Sequence, residues 1–124
     1  MNVVDSSAWL EYFTDGPNAK HFAPAVAATD NLLVPTITIY EVFKVSLREV
    51  GENAALQACG ALQKGTVVEL SAKLAVAASK LSLQLSLPMA DAIILATARE
   101  FGATLWTQDE HFKGVPGVRY FAKK

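Results

Sequence analysis

Four acidic residues, Asp5, Glu41, Asp91 and Asp109, stand where predicted elements begin or end beside apolar residues, in "NVVDSSAWL", "PTITIYEVF", "LPMADAIILATA" and "LWTQDEHF". A carboxylate at the edge of a core is costly unless it is paired, and only Glu41 has a Lys or Arg on its near flank. A divalent cation would offset that cost. If the four acids converge, the chemistry they suit is metal-dependent phosphodiester hydrolysis of the nuclease kind. An internal disulfide and a thiolate-rich zinc site are excluded, because Cys59 is the only cysteine, and the isolated His21 and His111 make no zinc motif.

The elements that must position these acids alternate between strand and helix. A strand over residues 2–4 leads into a helix from Ala8, with Ser6 or Ser7 as its cap. A second helix covers about 19–28, kinked or shortened by Pro24. "NLLVPT" reads as a buried strand, followed by a helix over 37–50 that Gly51 stops. Residues 53–63 form another helix and "GTVVEL" another strand. Ser71 caps a long helix to Ser86, and Pro88 opens one that ends before Gly102. "ATLWT" and "VRYF" are the last strands. This order predicts an α/β sandwich with a mainly parallel central sheet and helices on its faces.

In such sheets ligands bind beyond the carboxyl ends of the strands. Asp5 directly follows the first strand, and Asp109 follows "ATLWT" by two residues. Glu41 and Asp91 fall in the first turn or so of a helix, where the dipole favours an anion. Local roles compete with this reading. Thr38–Glu41 and Thr107–Glu110 have capping-box spacing, Asp109 can cap a short turn, and Asp91 can complement its helix dipole. Four acids on one sheet edge are harder to explain by caps alone.

Length and composition are compatible with these roles. The 124 residues, 52% of them hydrophobic, suit one domain, 1–124, around one core. No apolar run reaches the roughly 20 residues of a membrane span, and Met1 leads straight into a strand without a signal-like segment, so a cytoplasmic protein is expected. The net charge of −1 conceals a partition: with the four site acids set aside, 11 basic residues face 8 acidic ones. That balance is compatible with a phosphate-bearing substrate.

The segments "VVDSSAWLEYF", "PTITIYEVF", "LPMADAIILATAREFGATLWTQDEHF" and "GVRYF" resemble a PIN domain, in particular the VapC-type toxins of toxin–antitoxin modules, over almost the whole chain. The resemblance implies a Rossmann-like α/β/α fold and an Mg²⁺- or Mn²⁺-dependent endoribonuclease that cuts tRNA, rRNA or other structured RNA. It carries Asp5, Glu41, Asp91 and Asp109 over as the acidic quartet of catalysis and metal binding. In-line attack would leave a 5′-phosphate and a 3′-hydroxyl. Ser7 and Thr107 are expected to orient a carboxylate, Ser7 being equally an N-cap. The resemblance further implies a homodimer that accepts a VapB-like antitoxin. One departure stands out: many relatives have a further Asp where this chain has His111, here read as a polar residue beside the site, with Glu110 as an alternative acid.

Lys44 and Arg48, three and seven residues beyond Glu41, share a helix face with it and are candidate phosphate contacts, with a local Glu41–Lys44 pair as the duller reading. Lys113, Arg119, Lys123 and Lys124 read as solvated charge. Two other classes fit less well. A phosphoryl-transfer enzyme of the haloacid-dehalogenase type needs a second Asp where Ser7 stands, and a receiver domain needs an early acidic pair and a late Lys. A non-catalytic module with the same fold would leave its acids for basic side chains of a partner.

Overall fold

Val3 and Val4 are buried in different cores on opposite faces of a sheet, as the two-residue period of a strand requires. In the computed structural model, which describes residues 1–124, these two valines belong to β1 (Asn2–Val4). It lies in the middle of a five-stranded sheet with β2 (Leu32–Pro35), β3 (Thr66–Val68), β4 (Thr104–Thr107) and β5 (Val118–Tyr120), in the order β3-β2-β1-β4-β5. All pairings are parallel, so the sheet is wholly rather than mainly parallel. Between the strands run α1 (Ser6–Phe13), α2 (Ala19–Ala27), α3 (Thr36–Glu49), α4 (Glu52–Leu62), α5 (Ala72–Leu85) and α6 (Met89–Glu100).

The two faces of the sheet carry separate cores. Val3, Leu33 and Leu105 pack with Leu74 and Ala78 of α5 and Ile94 of α6. Val4, Leu32 and Val34 pack with Trp9 of α1, Phe22 of α2, Val42 of α3 and Leu62 of α4. Burial on both sides explains why "NVV" and "LLVP" lack polar alternation. Each fully buried Leu, Val or Phe contributes about 1.5–3 kcal/mol of transfer free energy. The α6 helix is enclosed most completely, with every residue from Asp91 to Ala98 buried.

Local signals place most helix ends. The Ser71 hydroxyl accepts the Leu74 N–H at 3.1 Å, Pro88 occupies the N-cap of α6, and Gly51, at φ 136°, ends α3 with its N–H on the Ser46 carbonyl. Pro24 sits inside α2, which ends at Ala27. The first helix departs from expectation by starting at Ser6 rather than Ala8. Asp5 holds its N-cap position through its carbonyl, which accepts the N–H groups of Ala8 and Trp9 at 3.0 Å, while its side chain makes no capping bond. Ser6 and Ser7 are therefore helical residues with hydroxyls free for other work.

Chain order reverses beside β1: β2 and β3 extend the sheet to one side, and β4 and β5 to the other. The crevice at such a switch point opens between the loops after β1 and β4. No single helix is long and apolar enough to cross a membrane.

Candidate functional site

Register brings the first pair of site residues together. Val4 lies opposite Trp106, and the Asp5 N–H donates to the Trp106 carbonyl at 2.9 Å, so Asp5 and Thr107 leave adjacent strands side by side. Asp5 is 2% exposed. Its Oδ2 accepts hydroxyl bonds from Ser7 and from Thr107, each at 2.6 Å. Burial raises the Asp5 carboxyl above its ordinary value against these two donors, and the charges of Asp109 and Glu41 push the same way. Ser7 thus serves a carboxylate and not the helix end.

Glu41 is the sixth residue of α3, beyond the first turn in which the dipole acts. Its Oε1 accepts the Ser6 hydroxyl at 2.6 Å. The Thr38–Glu41 capping box does not form, because the N-cap is Pro35 and Thr38 is fully buried with its hydroxyl unpartnered. A local Glu41–Lys44 pair is absent too. Lys44 lies over the Tyr40 ring, 5.6 Å from its centre, and Arg48 pairs with Glu49 at 2.9 Å.

The remaining residues meet across the crevice. Asp91, third in α6, projects from a helix start toward Asp109, whose Oδ1 caps a single 3-10 turn, Glu110–Phe112, by accepting the His111 N–H at 2.9 Å. Capping and site membership thus coexist at Asp109. The Thr107 hydroxyl accepts the Asp109 N–H at 2.9 Å while donating to Asp5, which ties both acids to the end of β4. The Thr107–Glu110 box is replaced by these contacts, and Glu110 is exposed.

His111 is more engaged than its sequence context indicated. Its Nδ1 lies 2.9 Å from Asp91 Oδ2 and 3.0 Å from Asp109 Oδ1, and ligand-type atoms of the three residues all fall within 4.8 Å of one another. The Asp109 charge, helped by the bond to Asp91, holds the imidazolium above the ordinary histidine value. Burial, followed by the charges of Asp5 and Asp109, pushes the Asp91 carboxyl up to about 6 in spite of His111.

Asp5 thus feels the charges of Asp109 and Glu41, and Asp91 those of Asp5 and Asp109; Asp5 and Glu41 stand outside the trio whose ligand atoms lie within 4.8 Å of one another, and no Lys or Arg forms an ion pair with any of the four. Carboxylates that are crowded, partly desolvated and met only by the His111 ring are a donor set suited to a hard divalent cation. Besides His111, two residues serve the site without standing among its candidates: Ser6, read from the sequence only as a possible helix cap, and Asn18. Ser6 was legible only once the helix start was known. Asn18, fully buried, donates through Nδ2 to Gln108 Oε1 at 3.0 Å and to the Ala122 carbonyl at 2.9 Å, bracing the loop before Asp109.

A groove of about 640 Å³ opens beside the acids. It meets the site only through Ser7 and Gln108 and runs between α1, α3 and α4, with Leu10, Phe13 and Val45 inside and Glu11 and Glu49 also lining it. A smaller apolar depression of about 510 Å³ lies on α5 and α6, edged by Leu83 and Met89, which are 87% and 72% exposed.

The family model described as "PIN domain" matches residues 3–118. No match was found among curated protein sequences. Among solved structures, a toxin–antitoxin complex from Klebsiella pneumoniae contains a chain that is 26% identical, with TM-score 0.79 and 96% of each chain covered. The sarcin–ricin-loop-cleaving toxin VapC20 of Mycobacterium tuberculosis is 17% identical, with TM-score 0.79, covering 94% of this chain and 95% of that one. VapBC2 of Rickettsia felis, bound to a DNA fragment from its promoter, is 14% identical, with TM-score 0.74 over 99% and 98%.

Proposed function

Because this chain belongs to the PIN-domain family, we propose that it is a divalent-metal-dependent endoribonuclease, the toxin of a toxin–antitoxin pair, cleaving tRNA, rRNA or other structured RNA in the cytoplasm. The observation that supports the reading is the meeting of Asp91 and Asp109 beside Asp5 at the β1–β4 switch point, with the charge of Glu41 felt at Asp5 and no Lys or Arg paired with any of the four. The 26% identity to a chain of a toxin–antitoxin complex supports the toxin assignment, and the RNA-cleaving fold relative supports the substrate class.

Asp5, Glu41, Asp91 and Asp109 would hold Mg²⁺ or Mn²⁺. When bound, the cation supplies positive charge to the attacked phosphate and lowers the pKa of the attacking water. The chain's own work is positioning. Ser7 and Thr107 fix the Asp5 carboxylate, Ser6 fixes that of Glu41, and the capped turn fixes Asp109. Lys44 and Arg48, exposed on α3 beyond Glu41, would contact phosphates leading to the site. The apolar groove between α1, α3 and α4 suits a segment of an antitoxin, whose basic side chain would reach the acids through the Ser7–Gln108 end. The depression at Leu83 and Met89 suits a second copy of the chain.

The test is cleavage of structured RNA by protein freed of host ribonuclease. Activity should require added Mg²⁺ or Mn²⁺, stop with chelator and fall on the order of 10³-fold in Asp5→Asn, as expected when several kcal/mol of transition-state stabilisation are lost. Undiminished cleavage by Asp5→Asn would overturn the assignment.

A further inference from the structure

We propose that His111 is a nitrogen ligand of the cation centre and biases it toward Mn²⁺ over Mg²⁺. The inference rests on the metal-centre reading above and adds a donor of different chemistry to the acids.

The ring is placed between two of the acids in spite of its exposure to solvent. Its side chain is 54% exposed, so Nδ1 had water available as a partner, yet it faces both Asp91 Oδ2 and Asp109 Oδ1. The backbone enforces that aim. Phe112, fully buried, anchors one side of His111, and its N–H bonds to the Asp109 carbonyl at 3.1 Å. On the other side, the His111 N–H is held by the Asp109 carboxylate at 2.9 Å. Only the rotation of one short side chain remains free.

Separations within the trio also fit. Octahedral ligands at about 2.1 Å from a cation lie about 3.0 Å apart when they are at right angles. The Nδ1–oxygen separations of 2.9 and 3.0 Å are of that size. The two carboxylate oxygens lie within 4.8 Å of each other and of Nδ1, so one cation would take Nδ1 and an oxygen from each aspartate once Nδ1 has released its proton, replacing the contacts that join them now.

Imidazole nitrogen is a borderline donor that favours first-row transition cations, whereas Mg²⁺ is selective for oxygen. A site of carboxylates alone has little basis for preferring Mn²⁺. Replacing one oxygen donor by Nδ1 provides one.

The test uses the full chain loaded with Mn²⁺, with free Mn²⁺ followed by electron paramagnetic resonance and bound Mn²⁺ probed by spin-echo modulation for directly coordinated nitrogen. Wild-type protein should show imidazole nitrogen coupling, which His111→Ala should abolish and His21→Ala should leave intact. His111→Ala should also lose about tenfold or more in Mn²⁺ affinity, with a smaller loss for Mg²⁺ measured by competition. His111→Asp, restoring an oxygen donor, should bind Mn²⁺ without nitrogen coupling and with its preference shifted toward Mg²⁺. Bound Mn²⁺ without nitrogen coupling in the wild type, coupling that persists in His111→Ala, or an unchanged Mn²⁺/Mg²⁺ ratio would overturn this assignment alone. Absence of any saturable Mn²⁺ binding would overturn the metal centre with it.

Discussion

Thr107, the last residue of β4, donates its hydroxyl to Oδ2 of Asp5, the residue after β1, over 2.6 Å. The bond crosses the switch point of the sheet and, with Ser7, satisfies an acid that is almost wholly enclosed. Thr107→Val keeps the shape and removes the donor. It should cost about 1–3 kcal/mol of stability and weaken divalent-cation binding about 10–100-fold. Thr107→Ser should retain most of both. Denaturant unfolding with calorimetric metal titration checks the pair, and equal behaviour of Val and Ser would show that the bond is idle.

Asp91 should behave as a crowded site acid and not as a stabilising helix-start residue. In chelator at neutral pH, Asp91→Asn is expected to be as stable as the wild type or more so, by up to about 2 kcal/mol, because it removes a partly desolvated charge facing Asp5 and Asp109. Millimolar Mn²⁺ should raise the melting temperature of the wild type much more than that of the variant. A clear loss of stability in chelator, with equal metal effects on both proteins, would identify Asp91 as a cap.

The same acid sets a pH dependence. Its carboxyl is raised from 3.8 to about 6, so the folded protein holds this proton more tightly than the unfolded chain. Stability from this source is present below about pH 4 and is lost as pH rises to about 6. The raised His111 acts in the same direction higher up: its contribution is full below 6.5 and is lost as pH rises through its folded value. Metal-free protein should therefore lose stability relative to Asp91→Asn as pH rises from about 4 to about 6, where the Asp91 proton is released. Thermal scans of both proteins in chelator measure it, and parallel curves would contradict the shift.

Lys44 and Arg48 are exposed and tied only to Tyr40 and Glu49, so their removal tests substrate contact without disturbing the core. Lys44→Ala with Arg48→Ala should weaken RNA binding and lower its salt dependence by about one to two phosphate contacts, with unfolding unchanged. Binding curves that keep the wild-type salt slope would remove these residues from the RNA path.

Leu83, at the rim of the α5–α6 depression, offers a test of self-association. Wild-type protein is expected to be a dimer by light scattering, and Leu83→Asp to be a folded monomer. A wild type that is monomeric at every accessible concentration would exclude the proposed copy-to-copy contact.

Several features were determined by the residues alone because they depend on near neighbours. The α/β alternation followed from apolar runs punctuated by Ser71, Pro88 and Gly51, and the places of Asp5, Asp91 and Asp109 followed from their distance to those runs. Glu41 was legible as a site candidate but not in its setting, since a helix beginning at Thr36 carries it beyond the first turn. Tertiary structure alone decided what each carboxylate touches. Ser6 reaches Glu41 across 35 residues and Thr107 reaches Asp5 across 102, contacts that exist only once strand register and helix packing are set. His111 belongs to the same class. In the chain it stands beside Glu110 and Phe112 as an ordinary polar residue, and only the fold brings α6 close enough for its ring to meet Asp91. Local propensity chooses elements over a few residues, whereas the orientation of a site acid depends on packing summed over the whole sheet, and that sum cannot be read one segment at a time.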